Sequence, residues 1–180
     1  MKTRALYIPL IAAIVGAFAL VIFAAPKAKP EPKAGAIRVL FLGHESEHHN
    51  SNKFYPMLAK GLGRDAIYFD YVTSVEQALG DAAYLGKFDA VLLYANHGNI
   101  TPNQWKNLKG YVEAGGGFVP VHCASWCFGN EPGFDQLVGG RFASHKVGTF
   151  TAKVVDPKHP AMAGVKEFEA WDETYKHKNH

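Results

Sequence analysis

From residue 37 onward the chain alternates between short, nearly unbroken apolar runs and segments in which apolar residues recur every three or four positions. Ile37 to Gly43, IRVLFLG, has the continuous apolar character of a strand buried on both faces. Ser51 to Gly61 then predicts a helix, with a Ser or Asn start, a Gly stop, and Phe54, Leu58 and Leu62 on one side. A second strand follows at Ala66 to Val72. Ser74 to Leu85 reads as a second helix, capped by Ser74, with Glu76 in the first turn and Ala78, Leu79, Ala82 and Leu85 on one face. Phe88 to Ala95 is a third strand. Thr101-Pro102 opens a third helix running through Trp105, Leu108 and Val112 to Gly115, since Pro suits a first helical position. Phe118 to His122 is a fourth strand.

Strands alternating with helices over short connections imply an α/β sandwich of three layers, a mostly parallel sheet with helices on both faces. Ligands of such sheets bind beyond the carboxyl ends of the strands. Gly43-His44-Glu45 follows the first strand, Asn96-His97-Gly98 the third, and His122-Cys123-Ala124-Ser125 the fourth. All three clusters are therefore expected at one edge of the sheet.

The N-terminus departs from this pattern. Ala5 to Ala25 runs 21 residues without a charge, after Lys2 and Arg4. That length matches the roughly 20 residues that span a bilayer as a helix. Residues 1–25 are read as a membrane anchor with the domain outside the cytoplasm; the alternative is a cleaved signal segment and a secreted protein. Residues 26–36, PKAKPEPKAGA, form an extended Pro/Lys/Ala-rich linker, leaving 37–180 as the domain. Net charge is +3, and three lysines (27, 29 and 33) lie in the linker, so the domain is close to neutral. A clustered basic face is missing from the sequence, so no nucleic-acid partner is expected.

Nine histidines, with His44, His48 and His49 close together, bring metal chemistry into view. An imidazole closing a buried strand requires a partner, so His122 is a candidate ligand or acid/base, or else a histidine bonded to backbone. One imidazole from the first loop, His44 foremost, could join His122 around a divalent metal such as zinc, which accepts N and O donors. His97, in an Asn-His-Gly turn, is a candidate lining residue. Cys123 is either a nucleophile, if a neighbour lowers its pKa, or a small residue filling a tight turn. A disulfide to Cys127 is an alternative that helical spacing makes geometrically poor. WDETYKH sets Asp172 and Glu173 beside aromatic rings, as a sugar pocket does with hydrogen bonds and stacking, or as a solvated strand would.

Together, VLFLGHESEHHN, DAVLLYANHGNIT, YVEAGGGFVPVHCAS, GGRFASHKVGTF and HPAMAGVKEFEAWDETYKH resemble, in that order, the ThuA-like (trehalose-utilisation) family of the class I glutamine-amidotransferase-like superfamily. The resemblance implies a flavodoxin-like sandwich and a family domain that continues past the DETYKH stretch, so that this chain looks truncated at its C-terminus. It places Cys123 at a strained elbow after the fourth strand, although Val121 and His122 are not the small residues such a turn favours. It also adds His145 to the candidate catalytic set with His122 and Cys123. The implied function is action on a carbohydrate or oxidised sugar derivative, with a carbohydrate-like small molecule as ligand. The alternatives are a non-catalytic sugar- or partner-binding module and a cysteine-dependent amidotransferase-like hydrolase.

Overall fold

A computed structural model describes residues 35–180. The expected N-terminal span and most of the linker fall outside the described residues; among those described, no helix is long and apolar enough to cross a membrane.

Four strands, β1 (Ile37–Leu42), β2 (Ile67–Val72), β3 (Ala90–Leu93) and β4 (Gly117–Pro120), form a parallel sheet in the order β2-β1-β3-β4. Side chains alternate across each strand, so β1 contributes to both layers. Leu40 and Leu42 share a face with Val91 and Leu93 of β3, and pack against Ala78, Leu79, Leu85 and Leu108. Those residues come from α2 (Val75–Leu79), α3 (Ala82–Leu85) and α4 (Pro102–Glu113). Phe41 points the other way, edge-on to Tyr55 of α1 (Ser51–Leu62) and to Phe69 and Tyr71 of β2. The fully buried Phe41 thus anchors α1 to one face while the aliphatic cluster holds α2–α4 on the other.

The expected helix over 74–85 is two helices. Ser74 caps α2 by accepting from the Gln77 N–H, and Asp81 caps α3 by accepting from the Ala83 N–H. Two capping side chains seven residues apart each start their own turn, with Gly80 between them. Helix α4 starts on a reciprocal cap: Thr101 Oγ1 accepts from the Gln104 N–H while Gln104 Oε1 accepts from the Thr101 N–H. The same Gln104 donates from Nε2 to Glu76 Oε2 at 2.6 Å, tying α4 to α2.

Strand β4 stops at Pro120, earlier than expected, so His122 stands in a 3-10 turn (His122–Trp126). After α5 (Pro132–Val138), which ends on Gly139 at φ 91, the chain forms a long antiparallel hairpin that the sequence pattern did not predict. Its strands are β5 (Arg141–Ala152) and β6 (Phe168–Lys178), with a bulge between Phe142 and Ser144. Most side chains of both strands are exposed, so no regular apolar alternation marked them.

Candidate functional site

The carboxyl ends of β1, β3 and β4 do meet at one edge. Gly43 follows β1 in a corner so tight that a Cβ there would lie 2.5 Å from Ser51 Oγ and 2.6 Å from the Tyr71 ring. The Ser51 hydroxyl accepts from the His44 N–H (2.9 Å) and donates to the His44 carbonyl (3.0 Å). His44 is 4% exposed. Its Nδ1 lies 2.6 Å from Asn96 Oδ1, and its Nε2 donates to the His49 carbonyl at 2.8 Å. His97 donates from Nε2 to the Gly43 carbonyl (2.9 Å), and burial lowers its pKa, favouring the neutral ring. His44, Asn96 and His97 therefore bind the first loop to the loop after β3 from beneath.

Both ring nitrogens of His44 are committed to these contacts, so it does not supply the imidazole that faces His122. His49 does. Its ring lies 4.6 Å from that of His122, nearly perpendicular at 79°. Both residues have left-handed backbones, His49 at φ 53 and His122 at φ 51. A side chain in that region costs of order 1–3 kcal/mol, and such strain collects at functional sites. The strained position of the elbow is thus His122, one residue before the Cys123 that the family resemblance implied.

Cys123 is 2% exposed, and burial pushes its thiol up to about 12. Cys127 is buried, donates from Sγ to the Ala95 carbonyl, and is likewise pushed up to about 12. The two cysteines are unbridged. Burial outweighs the backbone hydrogen bonds, and for Cys127 the nearby Arg141, that favour the thiolate a nucleophile requires.

The hairpin completes the cluster. Tyr175 of β6 stacks on His122, with centroids 4.4 Å apart and planes at 28°, and its hydroxyl lies 3.3 Å from His122 Nε2. Glu173, two residues earlier on the same face, places Oε2 3.2 Å from His122 Nε2 and Oε1 3.5 Å from His145 Nδ1 of β5. Burial and the Glu173 carboxylate raise the Tyr175 pKa far above its ordinary value, keeping the phenol protonated. Burial, followed by the nearby His122, lowers the pKa of His49. Donor atoms of His49, His122 and Glu173 all lie within 4.8 Å of one another.

A cleft of about 580 Å³ opens over this cluster, with His49, Tyr94, His122 and Glu173 in its wall and Val147 and Trp171 on the hairpin side. Asp172 also lines it and accepts the Glu173 N–H at 2.7 Å. A second cavity of about 220 Å³ shares His49 and Glu173 and is bounded by Cys123, Trp126, His145 and Tyr175. Of the sequence candidates, the structure brings His122, His145, Asp172 and Glu173 to these cavities and sets Cys123 in the wall of the smaller one. His44 and His97 form the layer below. His49, Tyr94 and Trp171 have no individual signature in the sequence, although HHN just before a helix start marks a chain reversal at this imidazole.

Residues 38–180 match the model of the ThuA family, described as trehalose utilisation. The chain belongs to the ThuA family. Two solved structures share the ThuA fold with it. A ThuA-like protein from Bacteroides uniformis ATCC 8492 is 22% identical with a TM-score of 0.64, over 82% of this chain and 64% of that one. Another from Parabacteroides merdae ATCC 43184 is 19% identical with a TM-score of 0.63, over 78% of this chain and 63% of that one. This ThuA-family chain spans slightly less than two thirds of the length of either protein. No curated protein matches it.

Proposed function

We propose that this ThuA-family protein acts on a carbohydrate or an oxidised sugar derivative by acid–base chemistry centred on the imidazoles that share Glu173. The observation that carries the reading is the carboxylate of Glu173, set between His122 and His145 in the wall of an open cleft. A carboxylate beside an imidazole orients the ring, which is what a proton-transfer pair needs. The cleft volume of about 580 Å³ lies within the range of small-molecule sites. Its contents suit a polyhydroxylated ring: carboxylates of Asp172 and Glu173 to accept hydrogen bonds from hydroxyl groups, and the indole of Trp171, 73% exposed, to meet an apolar sugar face.

A membrane-tethered domain acting outside the cytoplasm is the setting we favour, supported by the uncharged stretch from Ala5 to Ala25. The test is a panel of disaccharides and their keto derivatives, incubated with the purified protein and followed by NMR, with binding read from tryptophan fluorescence. Turnover that disappears in Glu173→Gln supports the enzyme. Saturable binding without turnover would make the protein a sugar-binding module, and neither binding nor turnover across the panel would overturn the reading.

A further inference from the structure

We propose that His49, His122 and Glu173 form a binding site for a divalent cation of the zinc type, joining the loop before α1, the turn after β4 and strand β6.

Oε2 of Glu173 is shielded from solvent and meets no donor in hydrogen-bonding geometry among the described residues, although it lies 3.2 Å from Nε2 of His122 and the Tyr175 hydroxyl is near enough to interact with the carboxylate. A plain ion pair would aim the imidazole N–H at this oxygen, because an unpaired buried carboxylate oxygen loses hydration and recovers nothing. Here Oε2 receives no hydrogen bond from that ring, and Nε2 of His122 has the Tyr175 hydroxyl 3.3 Å away. Zinc–nitrogen and zinc–oxygen bonds of about 2.0–2.1 Å in tetrahedral array put neighbouring donors roughly 3.3 Å apart. The His122–Glu173 separation already has the length of such an edge. His49 is the third donor, within 4.8 Å of the other two, and its ring makes edge contacts to His122 and Tyr94 but no hydrogen bond to any described residue.

The donor chemistry chooses the ion. Two imidazoles and one carboxylate suit zinc, cobalt or nickel, whereas magnesium and calcium require sets built from oxygen. Three protein donors leave a fourth position, and all three line the 580 Å³ cleft, so that position is reachable by water or substrate. The surroundings act as supports: His44 holds the His49 carbonyl, and Tyr175 stacks on the His122 ring. Outer partners of this kind fix ligand orientation. With the ion bound, His122 is a ligand, and proton transfer falls to His145. The inference stands independently of the carbohydrate reading.

The test uses the full chain without an affinity tag, purified in mild detergent and stripped with a chelator. Titration with Zn²⁺ by calorimetry should give one tight equivalent, and Co²⁺ should give the intense visible absorption of a four-coordinate site. Glu173→Gln and His49→Ala should each weaken Zn²⁺ binding by about 100-fold, while His48→Ala and His180→Ala should leave it unchanged. Absence of a stoichiometric equivalent, or tight binding that survives both ligand substitutions, would overturn the site. Hydrogen exchange on the unsubstituted protein gives a check that needs no variant to fold: Zn²⁺ should protect residues 168–178 together with the 47–50 loop, and unchanged exchange in both segments would count against it. A protein that turned over sugars without binding metal would sink this inference and leave the carbohydrate reading intact.

Discussion

Nε2 of His122 lies 3.2 Å from Oε2 of Glu173, one from a turn of the parallel sheet and the other from an antiparallel hairpin. The site therefore exists only while the hairpin is docked, and Tyr175, stacked on His122, docks it there together with Arg141, which donates to the Cys127 carbonyl, and His177, which meets Ser125. Tyr175→Ala should cost about 2–3 kcal/mol in urea unfolding, whereas Tyr175→Phe, which keeps the stack and loses the hydroxyl, should cost about 1 kcal/mol or less.

The left-handed backbone of His122 can be isolated from its ring by comparing two substitutions that both remove the imidazole. His122→Gly should be more stable than His122→Ala by about 1 kcal/mol, because glycine adopts a positive φ without penalty. Equal urea midpoints for the two would show that the turn relaxes and stores no strain.

Gly43 is fixed by space rather than by φ. Its missing Cβ would fall 2.5 Å from Ser51 Oγ and 2.6 Å from Tyr71, both packed side chains. Gly43→Ala should lower stability by about 1–3 kcal/mol. It should also loosen His44 and with it the His49 carbonyl, which thermal unfolding and faster hydrogen exchange in the 47–50 loop would reveal together.

Cys123 and Cys127 should react slowly with an alkylating agent at neutral pH, at rates far below a free thiol, since burial pushes both up to about 12. The unfolded chain releases these protons near the ordinary value of 9.0 and the folded protein near 12, so the folded state binds more protons in between. Their contribution to stability is therefore full below pH 9 and is lost as pH rises toward 12. Unfolding midpoints measured across that alkaline window should fall; fast labelling of Cys123 alone at pH 7 would reverse this account.

Trp171→Ala should change stability by no more than about 0.5 kcal/mol, since the side chain is largely exposed. Affinity for a carbohydrate ligand should drop about tenfold if the indole supplies a stacking face. Calorimetry with and without the substitution measures both.

The parallel core was legible because its strands carry unbroken apolar runs: IRVLFL and AVLL were found within one or two residues, as was the capped start of α4. The loops that follow β1, β3 and β4 were placed correctly at one edge for the same reason. The exchange of His44 for His49 could not be read, because which imidazole turns inward depends on Ser51 and Asn96, residues whose partners are set by tertiary packing. Nor was the hairpin readable, since β5 and β6 expose side chains on both faces and β6 reaches Glu173 and Tyr175 to the cleft only through pairing with β5.

The alternation that sends Leu40 and Leu42 to one layer and Phe41 to the other also sets where the loop after β1 begins. Inserting one residue into that strand would exchange its two greasy sides and, in the same stroke, rotate Gly43 and His44 off their mark. Core and cleft are thus locked in phase: the length of this strand fixes both which side chains pack and where the first loop begins.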